Sequence, residues 1–168
     1  MQILTFTVAG QPYAIPSRKV IEVLPLVPAR PIPLQPEYVV GVFAYRGRLV
    51  PLIDLGRRFE ASGDARRRLS TRVIVVEFPG RAADPGAASP PPAAGLVRLG
   101  LIADDVVSIQ SALGQEVEPA ADPLGRAPFL GRLLRLGGTT VQMLVVEHLL
   151  PDDLRDTLVA ATVGAVDP

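Results

Sequence analysis

The sequence predicts an all-β protein, and three observations carry that prediction. Apolar residues fall in short runs, several with the two-residue period of a strand that buries one face. The 168 residues include 18 prolines and 15 glycines, which interrupt the chain too often for long helices. Nowhere do strands alternate with long helical segments, as a parallel α/β sheet requires. Closure into one or two small barrels would remove the exposed edges that about ten short strands otherwise leave.

Each element can be read in turn. From Ile3 to Val8 the chain alternates, with Leu4, Phe6 and Val8 on one face and Thr5 and Thr7 on the other. Gly10-Gln11 is expected to turn it into a partner strand at Tyr13-Ala14-Ile15, and Val20 to Leu24 supplies a short β-branched strand. Prolines at 25, 28, 31, 33 and 36 then fix φ and remove N–H donors. That segment is expected to be extended and unpaired, crossing from one part of the fold to another. Leu24, Leu26, Val27, Ile32 and Leu34 interleave with the prolines, which favours burial over display of the P-x-x-P spacings to an aromatic groove. Val39 to Tyr45 and Leu49 to Ile53 read as strands joined by a tight turn at Arg46-Gly47, and Asp54 as the N-cap of a short helix, Leu55 to Phe59.

Arg72 to Phe78 is a near-continuous apolar strand. Residues 79–95 are almost entirely Pro, Gly and Ala with no periodicity, the composition of a flexible surface loop. Val97, Leu99, Leu101 and Ala103 share one face of the next strand, followed by Asp104-Asp105 and Val106 to Ile109. A second loop, rich in Pro, Gly and acids, is expected at about Gly114 to Pro128. Leu133 to Leu136 and Val141 to Val145 flank Gly137-Gly138-Thr139-Thr140, the clearest hairpin in the chain. Glu147 to Leu150 and Pro151 to Leu158 suggest helical turns, with Pro151 at an N1-like position. Residues 1–158 are thus expected to form one compact unit, or two small subdomains sharing a core, and 159–168 a frayed tail.

Composition excludes much chemistry. With 17 basic and 17 acidic residues the net charge is zero, so the basic excess of a nucleic-acid binder is missing. Cysteine is absent, which removes disulfides, thiolate metal sites and cysteine nucleophiles. No apolar run reaches the roughly 18 residues needed to span a bilayer, and Met1 to Thr7 lacks the basic region of a secretory signal, so a cytoplasmic location without membrane insertion is expected. His148, the single histidine, reads as a surface or capping residue, and Asp104-Asp105 as a strand end rather than a cation site. Arg66-Arg67-Arg68 with Arg57-Arg58 reads as a solvated face. No phosphate loop, dinucleotide fingerprint, nucleophile elbow or zinc motif occurs. So thin a polar inventory suggests a protein that works by contact.

The run Gly41-Val42-Phe43-Ala44-Tyr45-Arg46-Gly47-Arg48-Leu49-Val50-Pro51-Leu52-Ile53-Asp54-Leu55 resembles the signature of the CheW family, the coupling proteins of bacterial chemosensory arrays. That signature reads G-V-x-N-L-R-G-x-[VI]-[VI]-P-[VI]-[VI]-D-L, so Ala44-Tyr45 stand where the family has Asn-Leu. Tyr13-Ala14-Ile15, Val20-Ile21-Glu22-Val23, the proline segment, Arg72 to Val76 and Gly100 to Val106 agree in order, and the resemblance extends from about Ile3 to Leu150. It implies two small five-stranded SH3-like barrels on a shared core. It also implies a non-enzymatic adaptor, with no cofactor or metal, joining chemoreceptor signalling tips to the regulatory domain of a CheA-type histidine kinase and recruited to receptor arrays. The family's coupling arginine falls on Arg46, its glycine on Gly41, and its V-x-E-[VI] segment on Val20, Glu22 and Val23. Tyr45 adds a phenol at the same implied contact surface. The alternative is a double-barrel sensor that binds a small ligand.

Overall fold

The computed structural model describes residues 1–60, 69–79, 96–107, 109–112, 116–118 and 127–163. Among these lie eleven strands: β1 (Gln2–Val8), β2 (Gln11–Pro16), β3 (Val20–Pro25), β4 (Val39–Tyr45), β5 (Arg48–Asp54), β6 (Arg72–Pro79), β7 (Leu96–Ala103), β8 (Ile109–Ser111), β9 (Glu116–Glu118), β10 (Leu130–Leu136) and β11 (Thr139–Leu144). A four-residue helix, α1 (Leu55–Arg58), follows β5, and a longer one, α2 (Asp152–Val163), follows β11. The strands form two sheets, ordered β8-β1-β2-β11-β10-β9 and β3-β6-β7-β5-β4. Pairing is antiparallel except for β2 with β11 and β5 with β7.

In both sheets the two edges come from consecutive strands, β8 and β9 in the first and β3 and β4 in the second. Each sheet therefore curls on itself as a small barrel, the arrangement that leaves least unpaired backbone. The first sheet counts six strands because β8 and β9 are two three-residue segments, where five were expected. In the second, the edges meet through the proline segment. Arg30 sits between Pro28 and Pro31 and keeps its own N–H, which donates to Val42 O at 2.8 Å while Val42 N–H donates back at 2.9 Å. Segment 26–38 is thus paired at Arg30, contrary to the expectation of an unpaired crossover, and it links two edges of one barrel instead of two parts of the fold.

Strand alternation distributes the apolar residues over three layers. Leu4, Phe6, Val8 and Ile15 of the first barrel meet Ile53, Ile74, Val76, Leu99 and Leu101 of the second, with Leu149, Leu154 and Leu158 sealing the shared core. The opposite faces fill each barrel: Ile3, Ala14, Leu134, Val141 and Met143 in one, and Phe43, Tyr45, Val50, Leu52, Val73, Val75 and Ile102 in the other. Strands β5, β6 and β7 are buried on both faces, which explains their near-continuous hydrophobicity.

Polar latches join the barrels. Thr7 and Asp104 exchange backbone hydrogen bonds at 2.8 and 3.0 Å. Thr71 Oγ1 donates to Asp104 Oδ1 at 2.5 Å, and Thr7 Oγ1 to Asp105 Oδ2 at 3.0 Å. The paired aspartates thus tie the sheets together. Lys19 and Glu147 add an ion pair at 2.5 Å between the 3-10 turns 17–19 and 146–148.

Other boundaries shift by small amounts. The first hairpin turns at Ala9-Gly10, both at positive φ, one residue before the expected Gly10-Gln11. Strand β9 lies within the expected loop at 114–128, because β10 supplies it a pairing edge. Asp54 caps α1 as expected, its Oδ1 accepting from Arg57 N–H at 3.3 Å. Pro151 precedes α2 by one residue, where its carbonyl accepts from Arg155 N–H at 2.9 Å, and the helix runs to Val163, past the expected boundary at Leu158. The loop at 80–95 and the arginines at 66–68 lie outside the described residues, while Pro79 belongs to β6.

Within the proline segment Val27 and Ile32 are half-buried, whereas Leu34 is fully exposed with φ of 62°. That left-handed backbone breaks any polyproline helix, so the P-x-x-P spacings do not form one continuous ligand surface. A leucine there gains no burial and carries the Cβ–carbonyl clash of left-handed geometry, which asparagine tolerates better. Leu34→Asn should raise stability by about 0.5–1 kcal/mol, measurable as a higher urea midpoint at unchanged slope.

Candidate functional site

The β4–β5 hairpin positions the central residue. Tyr45 pairs with Arg48, leaving a two-residue turn at Arg46 (φ 48°) and Gly47 (φ 76°). Positive φ at both positions marks the type I′ geometry whose twist matches the flanking strands. The turn is built on packing just behind it, where Phe43, Tyr45, Val50 and Leu52 fill the second barrel. Arg46 is thereby held at the tip with 62% of its side chain exposed.

Glu22 comes to this tip from the opposite edge of the sheet. Strand β3 carries a bulge between Val20, paired with Val76, and Glu22, paired with Val75. The inserted Ile21 and the later Leu24 pack on the second-barrel core, and the Glu22 carboxylate lies beside the hairpin. Arg46 Nη2 donates to Glu22 Oε2 at 3.1 Å, and the Tyr45 hydroxyl donates to the same oxygen through a short bond. Side chains therefore bridge β3 and β4, the strands that form the two edges of this barrel.

Tyr45 is 6% exposed, and its hydroxyl reaches Glu22. The Arg46 guanidinium carbon lies 5.1 Å from its ring centroid and that of Arg98 5.5 Å, both within cation–π range. Hydrogen bonding to the Glu22 carboxylate, reinforced by burial, raises the phenol above its usual pKa. Arg98 is the member that the sequence reading passed over. The alternation that sends Leu99, Leu101 and Ala103 to the shared core sends Arg98, Gly100 and Ile102 to the other face, so its place was readable from the strand period.

The remaining expected site residues occupy different environments. Val23 is 38% exposed and lies on the opposite face of β3 from Glu22, since Glu22 pairs with Val75 and Val23 with Ile74. Val20 is half-buried and packs against the shared core. Gly41 is buried, with φ of 151°, at the register shift between Val39 and Gly41. A Cβ at Gly41 would stand 2.1 Å from Arg30 O and 3.0 Å from Pro31 Cα, so its lack of a side chain admits the proline segment. Arg46, Tyr45 and Glu22 form one cluster, then, whereas Val23 lies on the other face of β3, Val20 packs on the shared core and Gly41 packs against the proline segment. His148 is exposed on the turn at 146–148.

Among the described residues no group of three or more His, Cys, Asp or Glu side chains is placed to hold a metal ion, and no helix is long and apolar enough to cross a membrane.

Comparison with known proteins places this architecture. The family model described as CheW-like domain matches residues 2–154. "Chemotaxis protein CheW" of Rhizobium meliloti (strain 1021) is 22% identical over 157 residues, covering 92% of this chain and 90% of that protein. "Chemotaxis protein CheW" of Helicobacter pylori (strain ATCC 700392 / 26695) is 33% identical over 76 residues, covering 45% of this chain and 46% of its own length. The crystal structure of the scaffolding protein TtCheW from Thermoanaerobacter tengcongensis superposes with a TM-score of 0.71 at 24% identity, over 89% of this chain and 87% of that one. The chain, matched over nearly its whole length and sharing that fold, belongs to the CheW-like domain family.

Proposed function

We propose that this protein is a non-enzymatic adaptor that couples chemoreceptor signalling tips to a CheA-type histidine kinase in a chemosensory pathway. The observation that carries the reading is the β4–β5 tip of a CheW-like domain, where Arg46, the residue on which the signature's arginine falls by resemblance, is exposed and held by a buried scaffold. A guanidinium offers five N–H donors in a planar fork, suited to carboxylates and to the free carbonyls at helix ends. Val23 supplies exposed apolar surface on the other face of β3, which suits the apolar stripe of a helical partner. Glu22 and Tyr45 orient the arginine, Val20 anchors β3 to the core, and Gly41 sets the edge on which the hairpin stands.

Such a protein needs no cofactor and acts by contact. Its natural setting is the cytoplasmic side of a receptor array. The test is reconstitution with a receptor and a histidine kinase from the same genome. The protein should be required for the receptor to change kinase autophosphorylation, and should co-sediment with both. If receptor control of the kinase were unaffected by its omission, the adaptor reading would be abandoned.

A further inference from the structure

We infer that Tyr45 is the positioning residue that keeps Arg46 available to a partner, by sharing the Glu22 oxygen that would otherwise hold the arginine more fully. The inference rests on the adaptor reading above. Two donors converge on one acceptor: the Tyr45 hydroxyl and Arg46 Nη2 both meet Glu22 Oε2. Among the described residues this is the one hydrogen bond Arg46 makes, although a carboxylate facing a guanidinium can take two parallel bonds from it. The phenol comes from a ring fixed in the barrel interior, 6.4 Å from Phe43, so it holds the carboxylate from the buried side. Glu22 therefore engages Arg46 end-on, through one nitrogen, and the remaining N–H groups stay on the exposed side of the tip.

The ring supports the same geometry. It lies under the Arg46 guanidinium at 5.1 Å, a contact that restrains the side chain without using any N–H donor. Arg98, 5.5 Å from the same ring, adds a second positive charge beside the tip. Glu77 stands opposite Arg98 on β6, so the cationic fork offered to an acidic or carbonyl-rich partner is that of Arg46 itself.

Tyr45→Phe separates the two parts of the role, because it keeps the ring, its packing and both cation–π contacts while deleting the hydroxyl. Binding of the full chain to a coiled-coil signalling-tip fragment from a receptor of the same genome should weaken about three- to tenfold, as Glu22 swings to a two-point grip on Arg46. In the same variant, NMR should show slower rotation of the Arg46 guanidinium, a readout that involves no partner. Glu22→Gln in the Tyr45→Phe background should restore binding, because the amide offers Arg46 one neutral acceptor. An unchanged affinity and unchanged Arg46 rotation in Tyr45→Phe, or a loss that persists with Glu22→Gln, would overturn the inference. Failure of the unaltered protein to bind the fragment would instead count against the adaptor reading, while the rotation measurement would still decide the role of Tyr45.

Discussion

Arg46→Glu should lose receptor and kinase coupling while keeping nearly all of the protein's stability. The native pair with Glu22 is largely exposed, and such pairs contribute about 1 kcal/mol or less. Glutamate at the tip occupies the same left-handed turn position as arginine, so backbone strain is unchanged. It also leaves Phe43, Tyr45, Val50 and Leu52 packed as before. The unfolding midpoint should therefore fall by about 4 °C at most.

Binding responds quite differently. The substitution removes a fork of donors and places a second carboxylate beside Glu22, so that a partner acid or carbonyl is repelled where it was attracted. Loss of an arginine at the centre of an interface commonly weakens affinity by about 30-fold or more, and charge reversal adds to that. Arg46→Lys should fall between, since lysine retains charge without the planar fork. Calorimetry against the receptor tip and thermal unfolding of the same preparations check both halves. An Arg46→Glu protein that still supports full receptor control of the kinase would show that the tip is not the contact.

The contrast between backbone and side-chain information explains what the sequence alone discloses. Period-two alternation placed Leu4, Phe6 and Val8 together, and Leu99, Leu101 and Ala103 together, because one buried face leaves a direct imprint on residue order. Turns with paired positive φ at Arg46-Gly47 and Gly137-Gly138 were equally legible, since few residues serve there. The pairing of Arg30 with Val42 was not, because proline content says which donors are missing and nothing about where a surviving donor will find its acceptor. The meeting of Glu22 with Tyr45 and Arg46 was also beyond direct reading. It depends on a bulge at Ile21 and on the curl of a sheet whose edges are β3 and β4, and both are tertiary outcomes. Resemblance to a family named most of these residues one by one. Only the fold shows which of them lie at the surface, as Arg46 does, and which are buried or half-buried, as Gly41 and Val20 are.

Gly41→Ala should be among the most damaging single-methyl additions in the chain, and its damage should be to folding. The new Cβ would overlap the Arg30 carbonyl, at 2.1 Å from its oxygen and 2.6 Å from its carbon, both rigid backbone atoms that cannot rotate away. Alanine is also strained at φ of 151°, a conformation reserved almost wholly for glycine. To accommodate it, the segment must lift from β4, giving up the bonds between Arg30 and Val42 at 2.8 and 2.9 Å and uncovering Val27 and Ala29, which pack on the second-barrel core. Backbone strain, two lost hydrogen bonds and exposed apolar surface together amount to about 3–5 kcal/mol, a large part of the stability of a domain this size. Urea unfolding should show a strongly lowered midpoint, and hydrogen exchange should show faster opening at Arg30 and Val42 than in the first barrel. Partner binding should fall only in proportion to the fraction unfolded, and recover when an osmolyte restores the folded state. An alanine variant as stable as the parent yet unable to bind would instead make Gly41 part of the contact surface.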